Sequence, residues 1–158
     1  MRRLLVVHQS RTGGTRQLVD AAVAAARDPD LADLGEPVEV VSRAALEAGV
    51  DDVLAADAYL LATPENFGYM SGALKHFLET IYHPCLDLTR GRPWALLVKC
   101  RDADGSGAVT SVQRIVTGLA WREVAPPLVV RGDVTDDARG AAAELGATLA
   151  GGLAAGLW

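Results

Sequence analysis

The sequence predicts an α/β fold in which a parallel sheet of five strands carries helices on both faces. Short β-favouring apolar runs recur along the chain between turn residues, and stretches with apolar residues at helical spacing separate them. The runs are apolar throughout, which suits strands buried on both faces. Strand and helix therefore alternate, without repeats or low-complexity tracts, and right-handed crossovers would lay the helices over the sheet.

Leu4 to Val7 is the first such run. Leu18, Val19, Ala22, Val23 and Ala26 then trace one face of a helix over about 15–27, which Pro29 stops. Val38, Val40 and Val41 mark a second strand. Ala58 to Ala62 is the third, expected to end near Thr63 because Pro64 restricts the residue before it. Leu74, Phe77, Leu78 and Ile81 place a helix over about 71–81, with Lys75 and Glu79 as an i,i+4 pair on another face. Trp94 to Val98 is the fourth strand. Ala108, Val112, Ile115, Val116 and Leu119 mark the next helix, with Ser106 expected as its cap. Leu128 to Val130 is the fifth strand. Thr135, Asp136 and Asp137 then read as the capped, acidic start of a last helix carrying Leu145, Leu149 and Leu153.

The 158 residues suit one domain over 1–158, and a globule of that length buries roughly 68–70% of the surface its unfolded chain exposes. Half the residues are apolar and 22% are charged, the balance of a folded protein. A net charge of −5 without a basic stripe argues against a nucleic-acid partner. Cys85 and Cys100 cannot build a disulfide framework and are expected as reduced thiols. Arg2 and Arg3 precede an apolar run too short for a signal peptide or a membrane span, so a soluble cytoplasmic protein with no membrane insertion is expected.

Ligands of such sheets bind outside the carboxyl ends of the strands. The loop there after the first strand, His8 to Thr15, offers hydroxyls at Ser10, Thr12 and Thr15 and glycines at Gly13 and Gly14, and it opens a helix. Close backbone N–H groups and the positive end of the helix dipole suit a phosphate. The loop is neither a P-loop nor a dinucleotide-binding Gly-x-Gly-x-x-Gly. Ser10-Arg11-Thr12-Gly13-Gly14-Thr15 resembles the phosphate loop of flavodoxins and related FMN-dependent reductases. The resemblance implies a flavodoxin-like three-layer sandwich with strand order 2-1-3-4-5 and FMN as cofactor.

The loop after the third strand, Thr63 to Gly72, is similar to the loop that contacts the flavin ring in the same families. Pro64, Glu65, Asn66, Phe67, Gly68 and Tyr69 are its candidate ring contacts. Aromatic side chains beside a flavin plane, with glycines for close approach, fit that task; packing onto a neighbouring subunit is the alternative. The third loop, Lys99 to Gly107, contains no aromatic residue. Many flavodoxins supply a second aromatic there, so one flavin face is expected to lie open to a nicotinamide or quinone. Lys99 and Arg101 are further candidates, since a cation near the flavin would stabilise its anionic reduced form; alternatively they face solvent or pair with Asp102 and Asp104.

Other chemistries fail on spacing. Four residues separate Cys85 from Arg90, where a Cys-x-x-x-x-x-Arg phosphatase loop has five, and Cys100 lacks the Arg. A receiver domain needs Asp where Thr63 stands, and there is no Gly-x-Ser-x-Gly elbow. His8, His76 and His83 lack metal-ligand spacing, so no metal and no catalytic side chain is assigned. The expectation is an FMN-dependent oxidoreductase that takes reducing equivalents from NAD(P)H as co-substrate to a quinone or similar small acceptor. A flavodoxin-type carrier serving protein partners and a flavin-free interaction module are the alternatives. By resemblance a homodimer or homotetramer is expected, with Tyr82, Trp121 and Trp158 available for its interface.

Overall fold

Leu4, Leu5, Val6 and Val7 are completely buried, because the strand they form lies in the middle of a sheet covered on both faces. The computed structural model describes residues 1–158. Along them run β1 (Arg2–His8), α1 (Gly14–Ala26), a 3-10 segment (Pro29–Leu34), β2 (Val38–Ala44), α2 (Val50–Ala55), β3 (Ala58–Asn66), β4 (Tyr69–Met70) and α3 (Gly72–Cys85). Then follow β5 (Pro93–Cys100), α4 (Ser106–Gly118), β6 (Arg122–Glu123), β7 (Leu128–Arg131) and α5 (Asp136–Ala154).

The parallel order is β2-β1-β3-β5, and β6 and β7 both pair with the outer side of β5. This is the expected 2-1-3-4-5 arrangement with its fifth position split in two. Val124 still donates to the Trp94 carbonyl, but Pro126 and Pro127 have no N–H to offer, and pairing resumes only at Leu128. The chain leaves β1 for β2 and returns to β3 on β1's other side. The strand order reverses between β1 and β3, and a crevice opens at their carboxyl ends.

Alternate strand residues feed two cores. Leu5, Val7, Tyr59, Leu61, Leu96 and Val98 pack under α2, α3 and α4. Leu4, Val6, Leu60, Ala62, Ala95 and Leu97 pack under α1 and α5. At the amino ends of the strands, Tyr59 stacks on Trp121 with ring centroids 3.9 Å apart. Its hydroxyl donates to the Val53 carbonyl at 2.8 Å, and burial pushes its pKa up to about 12. Arg92 Nη1 reaches the carbonyls of Val53, Leu54 and Ala56, together with Tyr59 Oη, at 2.7–3.1 Å, so one guanidinium closes the carboxyl end of α2.

Several boundaries differ from the expectation. The third strand does not end at Thr63: β3 continues to Asn66, because Glu65 and Asn66 pair with Met70 and Tyr69 in a hairpin. α3 runs past Ile81 to Cys85, taking Pro84 into its last turn. α2 is one short helix of six residues that apolar periodicity does not mark. Ser106 does not cap α4; it is the first helical residue, and Gly105 holds the cap position at φ +80°. Asp104 supplies the missing acceptor to the Ser106 N–H at 2.9 Å. Trp121 is not an interface residue but 94% buried core, and Trp158 lies against Gly152 of α5. Thr135 caps α5 as expected, accepting from the N–H of Ala138, and Ser71, expected as the first helical residue, instead caps α3 by accepting from the N–H of Leu74. No helix is long and apolar enough to cross a membrane.

Candidate functional site

Three loops meet at the carboxyl end of the sheet. In the first, Ser10 Oγ accepts hydrogen bonds from the N–H groups of Gly13 and Arg16, at 3.1 and 3.2 Å, which fixes the turn into α1. Gly13 stands at φ +90°, where its lack of a side chain is needed. The N–H groups of Arg11, Thr12, Gly14 and Thr15 donate to nothing within the chain. Thr15 is 97% buried, lines the cavity described below, and its hydroxyl has no partner in the chain. The first turn of α1 carries no acidic residue. Free donors at a helix N-terminus, with no internal anion, form a ready receptor for a phosphate.

The second loop is fastened to α4. Glu65 Oε2 accepts from the Ala108 N–H at 2.9 Å, and Ser111 Oγ accepts from the Met70 N–H at 3.1 Å. Between these bonds the Gly68 carbonyl lies against Gly107, in the space a side chain there would fill. Thr63, fully buried, accepts from the Ser71 N–H at 2.9 Å. The tip itself is bare. Phe67 has φ +52° and is fully exposed, and Tyr69 is exposed beside it.

In the third loop, Asp104 Oδ1 accepts from the hydroxyl and N–H of Ser106, which hold its carboxyl below the usual range. Asp102 offers its carbonyl to Arg131. Neither carboxylate pairs with Lys99 or Arg101. Cys100 is a free, buried thiol whose pKa burial pushes up.

These loops enclose a cavity of about 370 Å³. Ser10, Arg11, Thr12 and Thr15 form one wall, Pro64, Glu65 and Asn66 another, and Lys99, Cys100 and Arg101 the third. The volume falls in the range that holds small-molecule cofactors. Arg11, Lys99 and Arg101 all line it, and none of the three forms an ion pair within the chain. A recess of about 230 Å³ adjoins it, sharing Thr12, Lys99 and Arg101 and adding Gly14, Gln17 and the Gly132–Val134 turn. A larger concavity of about 520 Å³ lies between α3 and α4, but its Lys75 and Glu79 already pair at 2.6 Å and it exposes no helix N-terminus.

Most of the residues singled out in the sequence converge here. Gly13 shapes the turn from behind, Gly14 faces the adjoining recess, and Phe67, Gly68 and Tyr69 stand outside the cavity wall. Sequence reasoning missed Cys100, whose burial at a strand end hides it among apolar residues. It also missed Thr63, Ser71 and Ser111, whose loop-holding bonds run between distant segments with no local signature.

A solved flavodoxin from the domain Archaea superimposes with a TM-score of 0.75 at 17% identity, covering 94% of this chain and 96% of that one. A flavodoxin, WrbA-like protein from Agrobacterium tumefaciens does so at 0.75 and 18%, covering 95% and 96%. The flavodiiron protein from Giardia intestinalis reaches 0.78 at 17%, covering 95% of this chain and 36% of that longer one. In sequence, a flavodoxin of Aquifex aeolicus is 31% identical over 81 residues, which are 51% of this chain and 40% of that protein. The family described as NADPH-dependent FMN reductase matches residues 2–136, a span that contains all three loops. The chain therefore belongs to the NADPH-dependent FMN reductase family, on a flavodoxin-like fold.

Proposed function

We propose that the protein is an FMN-dependent oxidoreductase that passes reducing equivalents from NAD(P)H to a quinone or similar small acceptor. The observation that carries this reading is the cavity itself. The residues bearing the free N–H groups at Arg11, Thr12 and Thr15, and the unpartnered Thr15 hydroxyl, form one wall, Pro64–Asn66 form another, and Gly14 with its free N–H borders the adjoining recess. The N–H groups of Arg11, Thr12, Gly14 and Thr15 and the hydroxyls of Thr12 and Thr15 would hold the phosphate. Pro64, Glu65 and Asn66 would flank the ring. Bound FMN supplies the two-electron chemistry, so the chain needs no acid or base of its own.

The chain's residues orient the cofactor and leave access to it. The third loop brings no aromatic side chain to the cavity, and the Phe67 ring stands clear of it. A planar donor or acceptor can thus approach the ring position without displacing an aromatic cover. Glu65, tied to α4, holds the second loop in place. Partial likeness to the Aquifex aeolicus flavodoxin keeps an electron carrier as the second reading. The test is the visible spectrum of FMN-loaded protein under anaerobic NADH or NADPH, followed by quinone. Bleaching by a nicotinamide and reoxidation by quinone support the enzyme. A flavin bleached by dithionite but by neither nicotinamide removes the enzyme reading and leaves the carrier.

A further inference from the structure

Lys99 stands near the end of β5, and its side chain turns toward α1. A Cβ placed on Gly14 would lie 3.3 Å from Lys99 Cε and 3.6 Å from Lys99 Cγ, so the aliphatic stem rests against the first residue of that helix. The sequence alone suggested a cation beside the flavin; the structure puts this stem at the end of the cavity where the helix amides converge. Within the chain the ammonium reaches one acceptor, the Cys100 carbonyl at 3.2 Å, and no carboxylate. A helix N-terminus carries partial positive charge, and Arg11 and Arg101 line the same cavity. Glu65 lines this cavity and Asp133 the adjoining recess, and neither pairs with the ammonium. Three side-chain cations and a helix N-terminus thus meet one carboxylate in the cavity, an excess of positive charge that an anionic ligand would offset.

We propose that Lys99 is the residue by which this protein selects the phosphorylated flavin, its ammonium pairing with the terminal phosphate opposite the α1 amides. The inference rests on the cavity being an FMN site. Riboflavin presents the same ring without the phosphate and gains nothing from the ammonium. Lys99 also lines the adjoining recess, so it stands where small anions from solvent can reach it. Gly14 fits the same account, because a side chain there would press on the Lys99 stem.

The apoprotein is titrated with FMN and with riboflavin by flavin fluorescence quenching, for wild type, Lys99→Met and Lys99→Arg, at low and high NaCl. Lys99→Met keeps a stem and removes the charge. It should weaken FMN binding roughly 10-fold or more, the scale of a charge-assisted hydrogen bond, and change riboflavin binding less than about twofold. The salt dependence of FMN affinity should flatten in that variant, and inorganic phosphate should compete with FMN less well than in wild type. Lys99→Arg should keep most of the preference for FMN. Equal losses for both flavins, or no loss for FMN, overturn the proposal while the FMN site stands. A wild type that binds neither flavin overturns both.

Discussion

The Glu65 carboxylate accepts a hydrogen bond from the Ala108 N–H at 2.9 Å, so a residue of the cavity wall also satisfies the first turn of α4. Glu65→Ala leaves that donor unpaired and frees the loop. Stability should fall by about 1–3 kcal/mol, the penalty for an unsatisfied polar group, and FMN affinity should fall with it. Glu65→Gln keeps an acceptor oxygen and should retain most of both. Urea unfolding and fluorescence titration of the two variants check this; equal losses in both would show that hydrogen-bond acceptance is not what Glu65 supplies.

Gly107 gives the same junction its closeness, since the Gly68 carbonyl occupies the space of a Cβ there. Gly107→Ala should push the hairpin outward, destabilising the fold by about 1–3 kcal/mol as overpacking does. Chymotrypsin should then cut faster after the exposed Phe67. An unchanged cleavage rate and melting temperature would mean that the contact yields without consequence.

Arg92 lies at the opposite end of the sheet from the cavity. Arg92→Met strands the carbonyls of Leu54 and Ala56 and takes one donor from that of Val53, which keeps the Tyr59 hydroxyl, and should lower stability by about 2–4 kcal/mol on the scale of lost hydrogen bonds to a charged group. FMN affinity of the folded fraction should not change. Urea denaturation with and without FMN separates the two effects.

Tyr59 predicts an alkaline limit. Burial raises its folded pKa from 10.0 to about 12, so the folded state holds a proton that the unfolded chain releases. This contribution is complete below pH 10 and is lost as pH climbs toward 12, at about 1.4 kcal/mol per pH unit. Tyr59→Phe should remove that slope while lowering stability near neutrality through loss of the bond to Val53. Urea midpoints across that window provide the measurement.

The buried strands were readable because solid apolar runs such as Leu4–Val7 and Trp94–Val98 mean burial on both faces wherever they occur. The turn of the first loop into α1 was readable too, from hydroxyls and glycines between a strand and a helix, and Ser10 holds that turn. The cap of α4 was legible but misassigned: Asp104, two residues before Ser106, takes the acceptor role in a local turn. What stayed hidden depends on partners further away. β3 outlasts Pro64 because β4 folds back on it, and Lys99 reaches α1 through the tertiary packing. The direction of a long side chain is set by its neighbours in space, and a single sequence does not name them.

The two prolines that split the sheet's fifth position have a bearing on how the protein behaves at high concentration. A long, flat outer strand invites a foreign strand to zip alongside it and can seed aggregates. Here that border is interrupted at Pro126 and Pro127 and contributes only the short stretches Arg122–Glu123 and Leu128–Arg131, with arginines at Arg122 and Arg131. An incoming strand would find no unbroken row of partners, so the rim formed by β6 and β7 is poorly suited to templating a fibril.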